Sequence, residues 1–377
     1  LPRAVGKRVS STLDDWGDRL VSAWTDWIDL PAEAGDRLAA AALGAGSGQV
    51  LVTDSVTVNL YKLASAALDA RRERSSIVID ADDFPTDRYV VEGLAAQRGL
   101  ELCVMCDAPP DGHHLEDIAS MCDACSPALV VLSHVNYRTG ALLDMHAVTS
   151  VVQERGALML WDLSHSVGAV PIQLDDSNAD MAVGCTYKYL NSGPGAPAFL
   201  YVRAGLHEGM RSPIWGWFGQ RDQFEMGPTY EPEAGVARFL AGTPSIIGIA
   251  AVDAAVDLIR DAGIAPIREK SVKLTELVVD LHDAWLAPLG FELGTPRDAE
   301  RRGSHVSIQH PDAWQLCRAL IERAGVVPDF RVPDSIRIGL SPLYTRFVDV
   351  WDAVDRLRRL VETDEYREVA TEQRRVT

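Results

Sequence analysis

From Gln49 to about Arg203 short apolar runs alternate with longer stretches of helical periodicity. The runs are QVLVTD (49–54), SSIVID (75–80), ELCVMC (101–106), ALVVLSHV (128–135), LMLWDL (158–163), MAVGCTY (181–187) and AFLYVR (198–203). This alternation predicts βαβ units and a mostly parallel seven-stranded sheet with helices on both faces, an α/β fold. Ser245 to about Trp285 reads as mainly helical, with apolar periodicity in IIGIAAVDAAVDLI and LTELVVDLHDAW. Beyond it, strand-like SHVSIQH and SIRIGLS and helical stretches near 312–324 and 347–361 predict a smaller α+β C-terminal domain. The expected division is a helical segment at 1–48 packing on the small domain, a large domain at 49–250, linking helices at 251–285 and the small domain at 286–377.

Composition narrows the function. A net charge of −18 over 377 residues, with no basic stripe interleaved with aromatics, argues against a nucleic-acid partner. The longest mostly apolar stretch, Ile246 to Leu258, is broken by Asp253 and too short for a hydrocarbon layer about 30 Å thick, which predicts a soluble chain without a membrane partner. The opening Leu-Pro-Arg lacks the basic and apolar regions of a signal peptide. Six cysteines in this length do not suggest a disulfide scaffold, and a reduced, cytoplasmic setting is expected. Cys103, Cys106, Cys122 and Cys125 have the C-x2-C-x15-C-x2-C spacing of structural zinc sites. Cys103 and Cys106 fall on a strand, however, where residues three apart point to opposite faces, so no metal is expected and the cysteines read as small core residues.

Ligands of parallel sheets bind at the carboxyl ends of the strands, so the residues following each run carry the candidate chemistry. QVLVTD leads through Ser55-Val56-Thr57 into a helix, whose free N–H groups and macrodipole suit a phosphate, although Thr57 also reads as a plain N-cap. LMLWDL-Ser-His ends with Asp162 and His165, and MAVGCTY ends with Tyr187 and Lys188 before a Gly-Pro-Gly turn. A lysine able to lose its proton can capture an aldehyde cofactor, and a carboxylate can keep a pyridine nitrogen protonated. Alone, Asp162 reads equally as a helix cap and Lys188 as a solvated charge. A phosphate turn, a strand-end Asp and a strand-end Lys in this order on one sheet favour the cofactor reading.

The words DSVTVNLYKL (54–63), DDFPTD (82–87), LSHVNYRTG (132–140), WDLSHSVGAVP (161–171), TYKYLNSGPGAP (186–197), GWFGQ (216–220) and SIRIGLSPLY (335–344) resemble those of the kynureninases, in that family's order and across most of the chain. The resemblance implies the fold-type-I transferase fold of pyridoxal-5′-phosphate (PLP) enzymes, PLP as cofactor, an amino-acid substrate and a homodimer with shared sites. It implies that the Val56 backbone and Thr57 hold the cofactor phosphate. Phe84 would stack on the ring, with Pro85, Thr86 and Asp87 beside it. Ser133 would be another cofactor contact, Asp162 would bind the ring nitrogen and His165 would lie close by. Tyr187 would bond the phosphate and assist proton transfer, and Lys188 would carry the cofactor. Trp217 and Thr243 would reach the phosphate of the neighbouring subunit. Arg337 would clamp the substrate α-carboxylate; read without the family it is a charged strand residue that belongs on the surface.

Two departures stand out. The family usually carries a Gly-Asn-Ser-Leu-Gly-like word ahead of the Leu-Pro with which this sequence opens, so substrate contacts from that word are not assigned. Some members have Asn at Thr243, which bears on preference between kynurenine and 3-hydroxykynurenine. The expected reaction is hydrolysis of L-kynurenine to anthranilate and L-alanine. Rival readings are a cysteine desulfurase or class-V aminotransferase on the same Asp and Lys frame, and a non-catalytic binding protein. A desulfurase needs a mobile nucleophilic cysteine, and neither Cys185, in a strand, nor Cys317, in a helical pattern, suits that task.

Overall fold

A computed structural model describes residues 2–106 and 108–369. The chain forms two compact units. Of the described residues, the first comprises 2–106, 113–134 and 143–264, and the second comprises 108–112, 135–142 and 265–369.

All seven apolar runs of the first unit are strands: β1 (Val50–Val52), β2 (Ser76–Asp80), β3 (Glu101–Met105), β4 (Leu129–Ser133), β5 (Leu158–Asp162), β6 (Met181–Gly184) and β7 (Phe199–Val202). They form one sheet in the order β1-β7-β6-β5-β4-β2-β3. Six strands run in one direction, while β7 is antiparallel to both its neighbours. β2, β4 and β5 are buried along their whole length, as expected where helices cover both faces of a parallel sheet. The helices are α1 (Arg3–Arg19), α2 (Trp24–Trp27), α3 (Leu30–Leu38), α4 (Val56–Ala70), α5 (Pro85–Arg98), α6 (Leu115–Cys125), α7 (Met145–Glu154) and α8 (Ile246–Ala262). The Ala- and Leu-rich α4 buries most of its circumference, because it lies against the middle of the sheet.

The N-terminal helices depart from expectation. α1 and α3 belong to the first unit, where they pack on α8, and Asp253 of α8 binds both Arg8 and Arg37. The cysteines depart as well. Cys103 on the edge strand β3 is disulfide-bonded to Cys125 at the end of α6, where the strand geometry had suggested small core residues. Cys122 is buried and Cys106, just past β3, is exposed, so the alternation of faces along the strand holds.

The second unit begins with α9 (Ile264–Leu281) and has a four-stranded antiparallel sheet, order β10-β11-β9-β8. Its strands are β8 (Glu292–Leu293), β9 (His305–Gln309), β10 (Asp329–Arg331) and β11 (Ser335–Gly339). Helices α10 (Ala313–Ala324) and α11 (Phe347–Glu362) bury their apolar faces against one another and the sheet around Leu316, Leu320, Ile336 and Leu357. Among the described residues no helix is long and apolar enough to cross a membrane.

Candidate active site

A cavity of about 330 Å³ in the first unit is lined by the segments that follow β1, β2, β5 and β6. At one edge is the N-terminus of α4. Its N-cap is Ser55, whose Oγ accepts the Val58 N–H at 3.4 Å, so Thr57 lies inside the first turn and is not the cap. Asp54, just before the cap, has φ 48° and binds Lys62, whose ammonium is fully buried. Lys62 Nζ donates to Asp54 Oδ2 at 2.5 Å and to the Phe239 carbonyl at 2.7 Å, pinning the turn from behind.

On the next wall are Phe84, Thr86 and Asp87, where Pro85 starts α5 with its fixed φ. Asp162 lies at the end of β5, level with Ser133 on β4, and its Oδ1 accepts the Ser164 N–H at 2.8 Å. Asp87 faces Asp162. It is buried, and neither of its carboxyl oxygens accepts a hydrogen bond. Burial first, then Asp162 and Asp83, drive its titration well above the usual carboxylate range, with Lys188 opposing. Two buried carboxyl groups facing each other favour a proton or a cation at their edge.

Lys188 follows β6 in a turn shaped by Asn191 (φ 62°) and Gly193 (φ 99°). The loop carrying Gly168 packs directly beneath it: with φ 83°, a side chain there would be strained and would meet the Tyr189 backbone at 3.0 Å. Lys188 Nζ lies 3.5 Å from His165 Nδ1 and 5.8 Å from the centre of the Phe84 ring. The lysine is half-buried, a wetter setting than the desolvated strand end expected, and Tyr187 is about half exposed. Burial, then Cys185 and Asp162, push the Tyr187 phenol up to about 12, so it is a proton donor at neutral pH.

Of the residues singled out in the sequence, Val56, Thr57, Phe84, Thr86, Asp87, Asp162, Tyr187 and Lys188 line this cavity. Pro85, Ser133, His165, Trp217 and Thr243 do not, although His165 touches Lys188. Trp217 and Thr243 are exposed. Arg337 belongs to the second unit, where it is buried on β11 and not on the surface. Its Nε and Nη2 bind Asp329 of β10 at 3.0 and 2.7 Å, and its Nη1 donates to the Tyr137 carbonyl at 2.6 Å. Sequence reasoning gave no role to Asp54, Ser55, Ser164, Gly195, Ala196 and Ala198, which also line the cavity. Asp54 and Ser55 were legible as the residues between a strand and a helix.

The donor set fits PLP. Free N–H groups at a helix start suit its phosphate, an aromatic face suits its ring, a lysine suits its aldehyde, and a buried carboxyl pair suits its ring N–H. Comparison with known proteins narrows this further. A kynureninase of Burkholderia pseudomallei (strain 1106a) is 43% identical over 97% of this chain and 88% of its own length. The chain belongs to the kynureninase family. A kynureninase of Pseudomonas fluorescens is 42% identical over 95% of the chain and 86% of its own length. The kynureninase C-terminal domain family matches residues 267–357, which run from α9 into α11 and include Arg337. Solved structures with the same fold include a cysteine desulfurase from Thermococcus onnurineus NA1, with TM-score 0.79, 18% identity and coverage of 95% of this chain and 92% of that one. Another is the cystine C–S lyase C-DES, with TM-score 0.81, 18% identity and coverage of 96% and 94%. At that identity these two bear on the fold alone; the kynureninase assignment rests on the relatives above 40%.

Proposed function

We infer that this chain is a PLP-dependent kynureninase, a hydrolase that cleaves L-kynurenine, and by the same route 3-hydroxykynurenine, to an anthranilate and L-alanine. The observation that carries this reading is the convergence of Asp162, Lys188 and the α4 N-terminus on one cavity in a chain 43% identical to a kynureninase. When bound, the cofactor supplies an electron sink for the pair released at the substrate's reacting carbons.

The protein's own residues do the rest. Lys188 Nζ would hold the cofactor at its aldehyde carbon and, as a free amine, would take the proton from the substrate Cα. His165, 3.5 Å away, steadies that nitrogen. Asp162, fixed by the Ser164 N–H, keeps the proton on the ring nitrogen, with Asp87 beside it. Val56 and Thr57 bind the phosphate at the first turn of α4, and Phe84 covers a face of the ring, its turn completed by Pro85 and Thr86. Ser133 supports this wall from β4. Tyr187, protonated at neutral pH, bonds the phosphate and delivers a proton during cleavage. Arg337, its guanidinium oriented by Asp329, takes the α-carboxylate.

The active unit in this proposal is a homodimer in which Trp217 and Thr243 of each copy complete the other's phosphate site. The exposed aromatic strip of Trp215, Trp217 and Phe224 beside Met226 supports it, as an apolar surface suited to a second copy. The cytoplasmic location expected from cysteine usage belongs to the same proposal. The desulfurase alternative is weakened at its nucleophile: Cys185, the thiol beside Lys188, is buried, and burial pushes it up and away from the reactive thiolate. The direct test is borohydride reduction followed by peptide mapping. The pyridoxyl group is expected on the Lys188 peptide, and recovery on a different lysine would overturn the assignment.

A further inference from the structure

Behind the Asp87–Asp162 pair is another carboxyl group that none of the steps above uses. Asp83, in the turn after β2, is buried and does not line the cavity. Its Oδ1 accepts the Ser133 N–H at 3.0 Å, and its buried Oδ2 accepts no hydrogen bond. The charged groups acting on it are Asp80 at the end of β2, Asp87 from α5 and Asp162 from β5. The loop before α6 contributes His113, whose Nε2 is 3.2 Å from Asp80 Oδ1. Burial would lower this imidazole, but Asp80, then Asp117 and Asp83, raise it. The carboxyls of Asp80, Asp83, Asp87 and Asp162 thus share the cations His113 and Lys188, and charge balance leaves protons among them. A cationic ring entering from the cavity would relieve Asp162 and Asp87, leaving Asp83 one layer further in.

We propose that Asp83 is protonated at neutral pH and is a positioning residue for the Asp87–Asp162 pair, whose hold on the ring-nitrogen proton tightens when Asp83 ionises. The proposal rests on the reading of Asp162 as the partner of that nitrogen. Burial, reinforced by the Asp80 charge and opposed by the Ser133 hydrogen bonds, lifts the Asp83 carboxyl from 3.8 to about 8. An added negative charge at this depth favours every cation beside it.

The test is Asp83→Asn, which keeps an acceptor for the Ser133 N–H and the same volume but cannot ionise. The first readout is thermal unfolding of the full chain across pH, with and without cofactor. The folded protein keeps a proton that the unfolded chain releases above 3.8, so wild type loses stability from there to about 8 and no further beyond. The advantage of Asp83→Asn in Tm should therefore grow across that span and then level off. The second readout is the visible absorbance of the cofactor-loaded chain, where wild type should show a step near 8 that the variant lacks. Should the variant not fold, infrared difference spectra of loaded wild type on either side of 8 should show loss of a protonated-carboxyl band. A Tm difference that is the same at every pH, an absorbance step that persists in the variant, or no change in the carboxyl band overturns the proposal. The unfolding readout depends on Asp83 alone, and turnover by Asp162→Asn tests the underlying reading separately.

Discussion

Replacing Lys62 by Met tests whether the phosphate turn is held from behind. Methionine fills nearly the same volume, so the cavity contribution is small and the loss is electrostatic. The ammonium is fully buried, and its departure leaves Asp54 Oδ2 with only the Thr53 hydroxyl, at 3.1 Å, and takes from the Phe239 carbonyl its charged donor. Removing one partner of a fully buried pair costs about 3–5 kcal/mol. The Asp54 side chain is 32% exposed and can take up water, which brings its share down to about 2 kcal/mol. The stranded carbonyl adds about 1 kcal/mol. The sum, about 3 kcal/mol, is roughly a hundredfold in the folded-to-unfolded ratio. Because Asp54 holds its positive φ immediately before Ser55, part of this loss should appear as weaker cofactor binding, on the order of tenfold. Urea unfolding of the cofactor-free chain and equilibrium dialysis of the cofactor measure the two parts. A variant within about 0.5 kcal/mol of wild type, the range of an ordinary surface change, would refute this account of the turn.

Other outcomes follow from the same geometry. Arg337→Leu should raise the substrate concentration needed for half-maximal rate by about 30-fold or more, the equivalent of at least about 2 kcal/mol, while leaving the cofactor spectrum unchanged; unaltered substrate binding would mean that the α-carboxylate is held elsewhere. Chains carrying Lys188→Ala, mixed with chains carrying Trp217→Asp, should regain turnover when subunits exchange, because one site of each mixed dimer then has neither lesion. Mixed dimers that stay inactive would place both residues in the same site.

The strands and the two strand-end residues were legible because each is a local signal: an apolar run, then a polar residue at its carboxyl end, as at Asp162 and Lys188. What escaped depends on non-local packing. The docking of α1 and α3 on α8 brings Arg8 and Arg37 to Asp253, more than two hundred residues away. The Cys103–Cys125 bond requires α6 to return along β3, which the zinc-like spacing does not reveal. β8 and β10, two and three residues long, are too short for alternation to register. Thr57 reads as a cap as well as Ser55 does; the observed Val58 N–H bond selects Ser55. Asp83 appears in the sequence only as an acidic residue of DDFPTD, and its place behind the Asp87–Asp162 pair emerges once β2, β4 and β5 lie side by side.

Turnover of L-kynurenine by the purified, PLP-loaded chain, followed by anthranilate fluorescence together with alanine determination, tests the central claim most directly. Equal amounts of anthranilate and L-alanine should appear, with the rate abolished in Lys188→Ala and reduced at least about tenfold in Asp162→Asn, where a neutral ring is the poorer electron sink. An unprocessed kynurenine pool alongside sulfide release from cysteine, or undiminished turnover in Asp162→Asn, would contradict it.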